Sequence, residues 1–204
     1  MASETGRFRT LEEHAPELIL VGAALYAVFV ASEILVTYSG TSIPQDTTFA
    51  SLATILIPLG LLGLYPGLAK RRPYLSRVSA VLIVIAALCW TILVVGAGIL
   101  EPLGVLTEPP GPLALTPFVG MATLYIGYAL FGITFLLADI HPKAVGGLLL
   151  VAAVSVPLVW FVLTGLPDFT ANVVNLLVYV AIGYILLTAG APTDGVEPPA
   201  DTPA

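Results

Sequence analysis

The chain has 204 residues, of which 58% are hydrophobic and only 10% charged, with a mean hydropathy of +1.01. Soluble domains run at about 45–50% apolar and about 25% charged, so a soluble globular protein and a disordered chain are both excluded. Seven basic residues against 13 acidic give a net charge of −6, the wrong sign for a surface that grips nucleic-acid phosphate. What remains is an all-α polytopic membrane protein.

A hydrocarbon core of about 30 Å takes about 20 helical residues. Residues 1–16 are polar and form a cytoplasmic segment with Arg7, Arg9 and His14. They are too many for the charged head of a signal peptide, and the apolar run after them is too long for its core, so the segment is read as retained. Six runs then meet the length requirement, at 17–38, 48–69, 74–100, 115–138, 144–164 and 170–189. Together they make one transmembrane domain over 17–189. The runs are continuously apolar rather than alternating, which excludes a β-barrel. Residues 190–204 are acidic, rich in proline and without periodicity, and are expected to be a disordered cytoplasmic tail.

Orientation follows from the basic residues. Arg7 and Arg9 precede the first run. Lys70, Arg71, Arg72 and Arg77 surround the second turn, and Lys143 lies in the fourth. With six spans these places share one side, so both termini are expected inside. The same four residues, Lys70, Arg71, Arg72 and Arg77, are expected among lipid headgroups, where each basic residue contributes ~1 kcal/mol of attraction to anionic lipid. The opposite side carries Asp46, Glu101, Glu108 and Asp168. Lysine is scarce and the exposed ends favour Asp, Glu and Thr. That balance resembles membrane proteins of halophilic archaea.

Two hairpins match at an offset of 69. Leu61, Gly63, Leu68, Ala69 and Pro73 correspond to Leu130, Gly132, Leu137, Ala138 and Pro142. Two readings stay open: a duplicated hairpin, or a chance match of the kind low-complexity apolar sequence yields readily. The segments GLYPGLAKRRPYLSR and LFGITFLLADIHP, each leading into an apolar helix, resemble uncharacterised multi-helix membrane proteins of halophilic archaea and actinobacteria. The resemblance covers roughly 58–160 and implies no activity and no functional residue.

Glu33 is the most informative position. It lies about one turn inside the outer end of the first span, where a carboxylate is costly and often functional. Gly22, Tyr26, Glu33 and Thr37 follow one another at spacings of four, seven and four, which places them on one helical face. Asn172, Asn175, Tyr179 and Gly183 form a similar stripe on the last span and begin at the same outer depth. Two readings stand beside each other. The residues are a structural set, with Glu33 reaching headgroup water and the amides bridging helices. Or Glu33, Asn172, Asn175 and Glu101, with Tyr26 and Tyr179 on the same faces, form one outward-opening pocket. Its oxygen donors would suit a hard cation.

Other chemistry finds little support. His14 and His141 lie outside the spans, which argues against membrane haem. Lys70 and Lys143 lie at turns, which argues against a retinal Schiff base. Cys89 is the sole cysteine and reads as a small buried hydrophobe. Pro58 and Pro157 lie within spans, and such kinks are tolerated in membranes. No cofactor and no metal site is expected. Nor is there a sequence signature of an enzyme. The leading expectation is a non-enzymatic protein of the cell membrane, of cation or small-solute transport type. Its partners are the lipid bilayer and, in an accessory role, a membrane protein or a second copy of itself; nucleic acid is not among them. The alternatives are a structural or accessory subunit and a membrane-embedded enzyme acting on a lipid.

Overall fold

The computed structural model describes residues 10–43, 46–96, 115–140, 142–167 and 169–189. Arg7, Arg9, Glu101, Glu108, His141, Asp168, the proline-rich outer loop and the acidic tail lie outside the described residues. Among the described residues there is no strand. The helices are α1 Ala15–Ser39, α2 Asp46–Gly63, α3 Tyr65–Arg71, α4 Pro73–Val95, α5 Thr116–Ala138, α6 Lys143–Phe161 and α7 Phe169–Ala189. All but α3 are long and apolar enough to cross a membrane. The chain is an all-α polytopic protein with six spans. The ends bearing Lys70, Arg71, Arg72 and Lys143 are called inner below, after the distribution of basic residues.

The helix ends have local causes. Pro16 and Glu17 open α1, the proline because a first-turn residue needs no N–H partner and the acid because it meets the positive helix end. The helix stops at Gly40, whose φ of 68° is left-handed and whose N–H donates to the Val36 carbonyl. Glycine holds that conformation without a side-chain clash. The outer connection is then pinned from within. Ser32 Oγ accepts from Ile43 N–H at 2.9 Å and donates to Asp46 Oδ2 at 2.6 Å.

The second run differs from its expected span. Instead of continuing to residue 69, the helix closes at Gly63, and the short helix α3 follows. The cause is Pro66, which has no N–H for the Leu62 carbonyl and crowds the preceding turn. Leu64 N–H bonds Leu61 O at 3.1 Å, a tightened last turn. The hairpin at the other end of the offset has no such helix. There α5 ends at Asp139, at a left-handed φ of 54°, and α6 begins four residues later. Leu68 is buried on α3, whereas the matching Leu137 is exposed. At the outer end of α6, Val162 and Leu163 both donate to the Leu158 carbonyl, so that helix closes at Phe161 rather than at residue 164.

The six spans form a ring. Each packs on the next span along the chain, and α7 closes the ring against α1. On the α5–α6 seam the approach is close. A Cβ on Gly132 would lie 2.7 Å from the Gly146 carbonyl oxygen, and one on Gly146 would lie 2.7 Å from the Gly132 carbonyl oxygen. The two backbones therefore touch, as small residues permit in membrane bundles.

The interior of the ring is not uniform. Its inner half is filled by Ile19, Leu61, Leu68, Phe131, Phe135, Leu149, Ile182 and Leu186. Buried hydroxyls there bond to their own helix: Ser76 to Arg72 O, Ser79 to Leu75 O and Thr134 to Leu130 O. Among the described residues, the side-chain to side-chain hydrogen bonds between helices lie in the outer half.

Candidate functional site

Three side chains form a hydrogen-bonded chain across the α1–α7 seam. Tyr26 OH donates to Asn172 Oδ1 at 2.6 Å. Asn172 Nδ2 donates to Glu33 Oε2 at 2.7 Å. Asn172 occupies the first turn of α7 and meets α1 between Tyr26 and Glu33. Seven residues separate those two, about 10 Å along the helix, and the amide spans the gap between their side chains. Glu33 and Asn172 are half-buried and Tyr26 is buried. The helical faces inferred from the spacing therefore do meet.

The faces are not wholly shared. Gly22 packs against Ile57 of α2, and Thr37 is exposed with its hydroxyl bonded to the Glu33 carbonyl. Only the Tyr26–Glu33 part of the first stripe turns toward α7. The second stripe keeps its direction better. Gly183 approaches Leu20 on α1, and Tyr179 packs its ring on Tyr26, with centroids 5.6 Å apart and planes at 71°. Edge-to-face contacts of this kind favour the negative ring face of one partner and the positive edge of the other.

One turn further along α7, Asn175 is fully buried. Its Oδ1 accepts from Ser155 Oγ of α6 at 2.7 Å. Asn175 and Ser155 each lie about 9 Å from the outer end of their helices, so the two meet level. The Tyr26 and Tyr125 hydroxyls lie beside the Asn175 amide. Tyr128 packs edge-on against Tyr179 at 6.1 Å and against Tyr125 at 6.5 Å. The site thus draws on α1, α5, α6 and α7.

Of the expected site residues, Glu33, Asn172, Asn175, Tyr26 and Tyr179 come together. Glu101 lies outside the described residues. Ser155, Tyr125 and Tyr128 complete the cluster; by sequence alone Ser155 is no more than a hydroxyl in an apolar run. Among the described residues no three His, Cys, Asp or Glu side chains gather in one place. The Asn172 amide and the Tyr26 phenol are oxygen-bearing neighbours of Glu33. Glu33 Oε2 receives one N–H, which takes only part of the carboxylate's acceptor capacity; turning the Asn172 amide would add Oδ1 as a further oxygen donor.

At the inner face Lys70, Arg71, Arg72 and Arg77 are all exposed. Arg72 Nε reaches the Leu137 carbonyl at the inner end of α5, 3.4 Å away. Lys143 pairs with Asp139 at 3.3 Å on the surface. Elsewhere, a cleft of about 190 Å³ at the outer end of α6 is lined by Val159, Trp160, Thr164 and Leu166. None of the polar cluster lines it. No family model, curated protein or solved structure matches this chain.

Proposed function

We propose that this chain is a non-enzymatic protein of the cell membrane of a halophilic archaeon, and that it takes a cation or small polar solute from the outer side at Glu33, Asn172 and Tyr26. One observation carries the reading. A carboxylate set back by about 9 Å from the end of its helix is held by an amide that a buried tyrosine orients in turn. Ionisable groups at that depth are rare without a role. Half-exposure of Glu33 and Asn172 leaves their bond open to exchange with a ligand from the outer aqueous phase. The exposed Lys70, Arg71, Arg72 and Arg77 would hold the inner face against anionic headgroups.

The test is a cation titration of the protein in nanodiscs, read by the infrared carboxylate bands and by thermal midpoint. Na⁺, K⁺, Mg²⁺ and Ca²⁺ are compared, with a panel of neutral solutes alongside. A saturable shift for at least one ligand is expected in the parent protein and not in Glu33→Gln. Identical responses in both proteins would sink the proposal. A second reading, a structural or accessory subunit, is favoured by the fact that the hydrogen bonds of Asn172 stay inside the protein. It expects Glu33→Gln to alter stability alone, with no ligand moving either midpoint.

A further inference from the structure

Two groups of the outer polar cluster form no hydrogen bond of ordinary geometry among the described residues: Asn175 Nδ2, which has the Tyr26 and Tyr125 hydroxyls beside its amide, and the Tyr128 hydroxyl, which has the Tyr179 hydroxyl beside it. Both side chains are fully buried. Buried polar groups are as a rule satisfied by protein or by ordered water. The chemistry of what is left over is specific. Asn175 Oδ1 already accepts from Ser155, so its remaining capacity is purely that of a donor. A phenol can donate as well. The surrounding walls are the rings of Tyr26, Tyr125 and Tyr179. Glu33 lies further out, with Oε2 engaged by Asn172. An N–H donor repels a bare cation and asks for an oxygen lone pair.

We infer that Asn175 and Tyr128 form a second, deeper subsite for a small neutral oxygen acceptor, either water or the hydroxyl of a small polyol. This subsite is distinct from the Glu33 carboxylate and stands whether or not that carboxylate takes a cation. It extends the polar region of the bundle to the middle of α5, just above Phe131 and Phe135.

Radiolytic hydroxyl-radical footprinting of the full chain in nanodiscs tests it, because radicals form at bound water and mark the side chains beside it. The rate at Tyr128 is compared with those at Phe131 and Phe135, which are equally buried; the exposed Tyr74 corrects for scavenging. At least tenfold faster modification of Tyr128 is expected if water is resident. A second arm is equilibrated with glycerol. Unchanged corrected labelling identifies water, and selective protection of Tyr128 identifies a polyol. Asn175→Leu should reduce labelling at Tyr128 several-fold. Where that variant does not fold, Tyr128→Phe should reduce it at Tyr125. Two results would overturn the inference. One is a Tyr128 rate equal to those of Phe131 and Phe135 in both arms. The other is a structure with the Asn175 amide reversed, Nδ2 donating to Ser155 and Oδ1 accepting from Tyr125, and nothing bound between Asn175 and Tyr128.

Discussion

Replacing Asn172 by leucine keeps the branched outline and heavy-atom count of the side chain and removes its two hydrogen bonds at once. Tyr26 then loses its acceptor and Glu33 loses a donor. Neutral side-chain bonds between membrane helices are worth about 0.6 kcal/mol on average and up to about 1.7. A bond to a charged group contributes about 1.5–3 kcal/mol. Because Glu33 is half-exposed, the low end applies to it. Asn172→Leu should therefore cost roughly 2–3 kcal/mol of bundle stability. Equilibrium unfolding in bicelles measures this, and double-mutant cycles apportion it. The cycle with Tyr26→Phe should return about 0.6–1.7 kcal/mol of coupling. The cycle with Glu33→Gln should return less than the full charged bond, because glutamine can still accept through its carbonyl oxygen. A cost within about 0.5 kcal/mol of zero, the usual range for unimportant surface changes, would refute the reasoning. So would zero coupling in both cycles.

Further expectations follow from the packing. Gly146→Val forces apart backbones that already touch at Gly132, and should cost about 3 kcal/mol or prevent folding. Its neighbour Gly147 has nothing within reach of a new Cβ, so Gly147→Ala should be neutral or stabilise by up to about 1 kcal/mol through helix propensity. The same unfolding assay serves both. Phe135→Ala empties a fully buried position beside Phe131, at a centroid distance of 5.8 Å, and should cost about 3–5 kcal/mol. A loss below 1 kcal/mol would mean that the inner plug is not packed as described. For orientation, Thr41→Cys and Arg71→Cys are each placed in a Cys89→Ser background. An impermeant maleimide added outside intact cells should label the first and spare the second; the reverse pattern would invert the topology.

The spans were legible because hydrophobic length is a strong signal: four of the six have both ends within a few residues of those expected, and the outer end of a fifth, expected at residue 100, lies outside the described residues. Helix α2 was the exception. Its apolar character runs on through Leu68 and Ala69, so hydropathy alone carries the span past Gly63. The break is written in a single residue, Pro66, whose effect is on backbone hydrogen bonding rather than on polarity. For the site, the three-four spacing placed Tyr26 and Glu33 on one face of α1, and Asn172, Asn175 and Tyr179 on one face of α7. Spacing cannot say which neighbour a face meets, however. Gly22 shares the Tyr26 face by periodicity, yet it packs on α2, because a helix inside a ring touches two neighbours. Ser155 was illegible for the same reason. Its partner, Asn175, lies 20 residues away, and only the meeting of α6 with α7 makes it significant.

The two polar contacts of α7 differ in a way that bears on mechanism. Asn172 holds α1 at a half-exposed level, where water can reach its bond to Glu33, while the Tyr26 hydroxyl behind it is buried. Asn175 holds α6 from a fully buried position, where losing the bond to Ser155 would leave a polar group stranded. Under the proposed function, a ligand arriving from outside would compete with the outer contact and leave the inner one intact. The start of α7 can then move away from α1 while Asn175, the Tyr179 ring and the Gly183 contact keep the rest of the helix in the ring. Below them, the buried hydroxyls of the inner half bond to carbonyls of their own helices around Phe131 and Phe135, and the α5–α6 backbones touch at Gly132 and Gly146. Passage through the bundle would need a second rearrangement at that depth. The binding proposed at Glu33 would need only the first, at the outer end of the α1–α7 seam.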